Sequence, residues 1–154
     1  PLYFAVLALA IGAASLVNAR LVVRFGMRAL SDIAQVVITL ASALALAWLL
    51  AVDSAPPLWL FMGYMMLAFF CFGMLFANFN ALSMEPLGHV AGIAAALIGF
   101  LTTAMSVLIG AAIGQVYDGT LVPLISGFAG LGALSLLVTR ACRRRYADAA
   151  VPTE

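Results

Sequence analysis

Five long stretches without a charged side chain restrict what this sequence can fold into. They cover about residues 2–17, 33–52, 58–82, 90–116 and 121–139. A crossing of the hydrocarbon core takes about 20 mostly apolar residues, and none of the stretches alternates with the period of two of a barrel strand. Because helices satisfy their own backbone groups in lipid, the sequence predicts an all-α membrane protein with five transmembrane helices.

The composition argues against a water-soluble globular domain. Hydrophobic residues make up 66% of the 154-residue chain and charged residues only 8%, whereas a soluble domain carries about 25% charged residues. The first residues, from Pro1, are already apolar and lack the basic n-region and cleavage site of a signal peptide. We therefore expect the chain to be truncated within or just before a helix.

The arginines predict how the chain is oriented in the membrane. All seven basic residues are arginines, and they occur in the first connection and after the fifth stretch: Arg20, Arg24, Arg28, Arg140, Arg143, Arg144 and Arg145. With five crossings these two regions lie on the same side, which the positive-inside rule makes the cytoplasm. We predict an external N-terminus, a transmembrane region over residues 1–141, and a disordered cytoplasmic tail over residues 142–154.

Small residues recur along the fourth stretch at helical spacing. Gly99, Thr103, Ser106, Gly110 and Gly114 follow one another at steps of four, three, four and four, which places them on one helix face. In lipid, small residues allow helices to approach closely. Gly99, Ser106, Gly110 and Gly114 are therefore predicted packing residues, either in a fixed contact or in a face that slides during transport.

Polar and aromatic side chains within the stretches are candidates for a substrate cavity. They are Tyr64, Asn78, Asn80, Thr102 and Thr103. The third stretch is also rich in Phe and Met, which either face lipid and neighbouring helices or form an adaptable wall for varied ligands. Each polar group could instead bridge two helices. No Asp, Glu, Lys or Arg lies in the middle of a stretch, so a proton-coupling group is expected in a missing upstream part.

The segment from Asn78 to Gln115 resembles a family of transporters. Its motif residues, with those of the turn that follows, are Met84, Glu85, Pro86, Gly88, His89, Ala91, Gly92, Gly110, Gly114, Gln115, Asp118, Gly119, Thr120 and Pro123. This order is similar to that of the major facilitator superfamily, in its bicyclomycin-resistance and chloramphenicol-efflux type of drug:proton antiporter. Arg24, Gly26 and Arg28 also resemble the superfamily's cytoplasmic loop motif, although Val23 stands at its acidic position.

The resemblance implies that the five stretches are helices eight to twelve of a twelve-helix protein of the bacterial inner membrane. It also implies proton-coupled export of drugs or other small molecules, with the substrate between two halves, of which the N-terminal half is missing here. The expected partners are the substrate, protons and membrane lipids, without nucleic acid. No cofactor or metal is expected.

The connection before the fourth stretch suggests either a rigid helix start or a cytoplasmic gate. Pro86 suits the first turn of a helix, and Glu85 or His89 could pair with arginines of the first connection. The gate and motif candidates are Arg20, Arg24, Gly26, Arg28, Glu85, Pro86, Gly88 and His89. An enzyme is not expected, because one His and one carboxylate make no recognisable active site. The alternative to a transporter is a non-transporting membrane scaffold or assembly subunit.

Overall fold

The computed structural model is helical almost throughout the residues that it describes, which are 2–52 and 56–149, with the backbone alone for 144–149. The α-helices are α1 (Leu2–Phe25), α2 (Met27–Ala51), α3 (Leu58–Met84), α4 (Ala91–Gln115) and α5 (Val122–Ala149), and a 3-10 helix, Glu85–Val90, joins α3 to α4.

Continuous helical stretches in this described part are long and apolar enough to cross a membrane. There are four, and the longest is Leu58–Gln115, which runs through α3, the 3-10 helix and α4. Such helices are typical of a multi-pass membrane protein.

The first connection is much shorter than the sequence predicted. Residues 18–32 were expected to connect two helices, but α1 continues to Phe25 and α2 begins at Met27. Arginine, alanine and leucine favour helix, so both helices extend beyond the apolar stretches. Only Gly26 separates them. Its φ of 81° lies in the left-handed region, where glycine is tolerated without the strain of a Cβ atom, and its N–H donates to the Val22 carbonyl at 2.9 Å.

α3 packs against both α1 and α2. α1 and α3 run parallel, because a Cβ atom on Gly73 would lie 2.9 Å from the Ala14 Cβ and Asn18 bonds Asn78 further along both helices. The buried core between these three helices consists of Ala14, Leu30, Ala34, Ile38, Ala68, Cys71 and Met74. Its small residues allow the close helix approach that association in lipid requires.

α5 packs antiparallel to α2. Asp32 near the start of α2 contacts Arg143 near the end of α5, while Thr39, further along α2, lies against Gly132, earlier in α5. A Cβ atom on Gly132 would lie 2.6 Å from the Thr39 Oγ1, so glycine is needed for this approach. The first connection and the end of α5 therefore meet at one end of the bundle, which we call the arginine end.

α4 makes few contacts with the rest of the chain. Of this helix only Ala94 is buried. Among the predicted packing residues, Ser106 is exposed, and a Cβ atom on Gly99, Gly110 or Gly114 would meet nothing within 4 Å. The small-residue face of α4 is therefore unoccupied by the described part of the chain.

A capped turn precedes α5. The carboxylate of Asp118 accepts hydrogen bonds from the Thr120 hydroxyl at 2.6 Å and the Thr120 N–H at 3.0 Å. These bonds lower the pKa of Asp118 from its ordinary value, because they favour the charged carboxylate. The Thr120 hydroxyl oxygen in turn accepts from the Val122 N–H at 3.3 Å. The sequence predicted this short acidic turn between the fourth and fifth helices.

Two predicted regions fall partly outside the described residues. The connection between the second and third stretches, residues 53–57, is described only at Pro56 and Pro57, which directly precede α3. The tail over residues 142–154 was expected to be disordered, yet α5 continues to Ala149. Alanine and arginine favour helix in this part of the tail. Residues 150–154 lie outside the described residues.

Candidate functional site: an aromatic cavity between α2 and α3

A cavity of about 470 Å³ lies between α2 and α3 at the end of the bundle opposite the arginine end. It is lined by Ala41, Leu44, Ala45, Trp48, Leu49, Pro56, Trp59, Leu60, Phe61, Gly63, Tyr64, Leu67 and Ile125. This volume lies within the range of about 300–1,000 Å³ typical of small-molecule sites, which are mostly apolar with a few polar groups.

The cavity owes its shape to the junction of two helices. Pro56 and Pro57 end the connection from α2, and α3 begins at Leu58. Trp48 in the last turns of α2 and Trp59 in the first turn of α3 therefore lie beside the same opening. Aromatic side chains at this depth suit the boundary between hydrocarbon and headgroups.

Tyr64 supplies the cavity's polar group. Its hydroxyl lies 2.9 Å from the Oγ of Ser42, and the Ser42 hydroxyl donates to the Ile38 carbonyl at 2.8 Å. Because a serine hydroxyl has one proton, Tyr64 donates to Ser42. The Tyr64 oxygen then retains acceptor capacity for a ligand. This bond also joins α2 to α3.

The described lining of the cavity is uncharged. None of its described lining residues carries a carboxylate, an amine, a guanidinium or an imidazole. Stacked or edge-on contacts with aromatic rings favour flat apolar ligands. Within the described residues, no three His, Cys, Asp or Glu side chains are grouped to hold a metal ion.

Two other polar contacts between helices hold the bundle in register. The side-chain amides of Asn18 and Asn78 donate to each other, both at 2.9 Å, in the buried contact of α1 with α3. Gln35 of α2 donates to the hydroxyl of Ser135 in α5. The Oε1 of Gln35 has no hydrogen-bond partner among the described residues, but a neighbouring cavity of about 120 Å³ is large enough to hold water.

The predicted cavity residues do not share one site. Tyr64 lines the aromatic cavity, whereas Asn78 is buried against Asn18 and bridges two helices. The amide of Asn80 donates to the Phe76 carbonyl of its own helix. Thr102 donates to carbonyls of α4, and Thr103, on the same helix, is exposed. The last three side chains therefore occupy other faces of the protein.

Three residues that form hydrogen bonds between helices were not predicted from the sequence. Asn18 was assigned to a connection, and neither Ser42 nor Ser135 was singled out. The sequence could have indicated these residues only through the spacing of a serine or asparagine three or four positions from another polar residue. Such spacing identifies a helix face, but not the partner helix.

The gate and motif candidates lie near the arginine end. Arg20 is exposed on α1, the guanidinium of Arg24 lies 5.6 Å from the ring centre of Phe25, and Arg28 lies in the first turn of α2. Glu85, Pro86, Gly88 and His89 belong to the 3-10 helix, with Pro86 in its first turn.

The predicted gate contact is not formed in this structure. Glu85 and His89 form no ion pair with their predicted partners Arg20, Arg24 and Arg28, all of which the structure describes. The ion pair that the described residues show joins Arg143 to Asp32 at 2.5 Å. A gate that closes through Glu85 or His89 stays a prediction about another conformation.

Comparisons with protein-family models, with curated proteins and with solved structures find no match to this chain. The resemblance of residues 78–115 to drug:proton antiporters therefore depends on the motif residues alone.

Proposed function

We propose that this chain is the C-terminal part of a membrane transporter that exports drugs or other small molecules across the bacterial inner membrane in exchange for protons. It would belong to the major facilitator superfamily, in the bicyclomycin-resistance and chloramphenicol-efflux type. The aromatic cavity carries the proposal, since its size and lining match what a small apolar substrate requires.

We propose five crossings, equivalent to helices eight to twelve of a twelve-helix transporter. The stretch Leu58–Gln115 has 58 residues and would measure about 87 Å as one straight helix. The hydrocarbon core is only about 30 Å thick. The kink at Leu87, with non-helical φ and ψ of −110° and 16°, lies beside the polar Glu85 and His89. These features favour two crossings that meet at the 3-10 helix.

The arginine end is proposed to face the cytoplasm. Arg28 and Arg143 line one cavity there, and the positive-inside rule retains arginine-rich segments in the cytoplasm. The N-terminus of the chain would then lie outside.

A further part of the same protein is proposed to cover α4. The open space around Gly99, Gly110 and Gly114 suits close approach of another helix in lipid. The proton-coupling group is proposed to lie in that part, together with the other wall of the substrate path.

Efflux measurements with the full-length gene test the proposal. Cells expressing it should extrude members of a panel of apolar drugs, and a protonophore should abolish the extrusion. Absence of efflux, with normal membrane insertion, would favour the scaffold alternative. That alternative also accounts for the open face of α4, which would then bind another subunit.

Two exposed aromatic residues of α3 form a matched pair for testing the cavity. Trp59 lines it and is 74% exposed, while Phe76 lies outside it and is 72% exposed. Trp59→Ala should raise the drug KM roughly two- to tenfold, as expected for losing about 0.5–1.5 kcal/mol of aromatic contact. Phe76→Ala should leave KM unchanged. Equal effects of the two substitutions would remove the cavity from the transport path.

A further inference from the structure

A second large cavity lies at the arginine end, between α2, α3 and α5. Its volume is about 690 Å³. Arg28, Ser83 and Arg143 lie on its wall, together with the apolar side chains of Phe79, Leu82 and Val138. Its lining is thus amphipathic, unlike that of the aromatic cavity.

The charges around this cavity are unbalanced. The carboxylate of Asp32 is paired with Arg143, while Arg28 forms no ion pair with any side chain that the structure describes. Two arginines, Arg28 and Arg143, and one carboxylate line this cavity. They leave one excess positive charge at the site, which favours an anionic ligand.

The polar and apolar parts of the wall follow one another along α3. Ser83 lies one helical turn beyond Phe79, so the two side chains share a face and are separated by about 6 Å along the helix axis. Ser83 is nearer the end of the helix, and Phe79 is deeper. A ligand here meets hydroxyl and guanidinium groups at one level and apolar groups at the next.

We propose that this cavity binds an anionic phospholipid, with its phosphate on Arg28 and Arg143 and the start of an acyl chain against Phe79, Leu82 and Val138. Guanidinium groups match phosphate oxygens in geometry and charge, and basic pockets between membrane helices bind lipid headgroups. A free phosphate ion would leave the apolar wall without a partner. The site requires that the helices cross a bilayer, but it does not require that the protein transports anything.

Native mass spectrometry of the full-length protein, purified and titrated with phosphatidylglycerol or phosphatidylcholine, tests the site. Both lipids carry a phosphate, but only phosphatidylglycerol has net negative charge. The wild-type protein should retain phosphatidylglycerol preferentially. Arg28→Gln should lower this affinity about fivefold, since one arginine at a membrane surface contributes about 1 kcal/mol to lipid attraction. Arg28 is exposed, so the fold should tolerate the change.

Arg20→Gln is the matched control, because it removes an exposed arginine of α1 outside the cavity. It should leave the affinity unchanged. Equal losses in both variants would mean diffuse attraction to the arginine end and would overturn the site. Displacement of phosphatidylglycerol by glycerol phosphate at the same concentrations would also overturn the site. A ligand without an acyl chain would then be enough for binding. If Arg28→Gln disturbs folding, the wild-type lipid preference and this competition still decide the outcome.

Discussion

The paired amides of Asn18 and Asn78 allow a sharp test of how α1 is held against α3. Asn78 is 1% exposed and Asn18 is 8% exposed, and each side chain donates one hydrogen bond to the other. Replacing Asn78 with leucine, whose side chain has the same number and branching of non-hydrogen atoms, removes both bonds at once. It also leaves the Asn18 amide buried without its partner.

The structure sets the size of the expected effect. Two hydrogen bonds between membrane helices contribute about 1.2 kcal/mol, at an average of about 0.6 kcal/mol each. A buried polar group left unpaired costs about 1–3 kcal/mol. Asn78→Leu should therefore lower the free energy of unfolding by about 1–3 kcal/mol, and Asn18→Leu should do the same. The double variant should recover part of this loss, because no amide remains to be satisfied.

Unfolding of the purified protein in mixed micelles measures these free energies as a double-mutant cycle. Asn80→Leu is the control, because the Asn80 amide bonds only within its own helix; its cost should stay within about 0.5 kcal/mol. Strictly additive effects of Asn18→Leu and Asn78→Leu would refute the pairing. So would an Asn80→Leu variant as unstable as Asn78→Leu.

Two further predictions concern α5 and the turn that precedes it. Gly132→Ala places a Cβ atom 2.6 Å from the Thr39 Oγ1 and should cost about 1–3 kcal/mol of unfolding free energy, whereas Gly130→Ala meets nothing within 4 Å and should cost nothing. The lowered pKa of Asp118 predicts a contribution to stability that is fully present above its ordinary pKa of 3.8 and is lost as the pH falls through the lowered value. Asp118→Asn, which keeps an acceptor for the Thr120 hydroxyl but does not titrate, should remove that part of the pH dependence in unfolding measurements.

The sequence predicted the helical character and the approximate position of the five α-helices. Long apolar stretches have few alternatives in lipid, so stretches such as 58–82 indicate helices without knowledge of their neighbours. The short turn at Asp118 was also predictable, because the polar residues between two apolar stretches are so few.

The helix ends near the arginines were not predictable from hydropathy. Residues 18–25 and 27–32 are helical although they carry charge, because a helix can continue beyond the hydrocarbon core into the headgroups. Gly26 ends α1 through its backbone conformation. The same reason accounts for the helical residues 142–149.

Helix pairing was decided by the tertiary structure alone. In lipid, apolar faces have no preference for one another over the surrounding hydrocarbon, so the almost uniformly apolar sequence of α3 does not show which face meets α1 and which meets α2. The sequence left both a cavity role and a helix contact open for Asn78. Only the position of Asn18 across the interface distinguishes them. The cavity beside Tyr64 likewise forms only where α2 meets α3, with Ile125 of α5 in its wall.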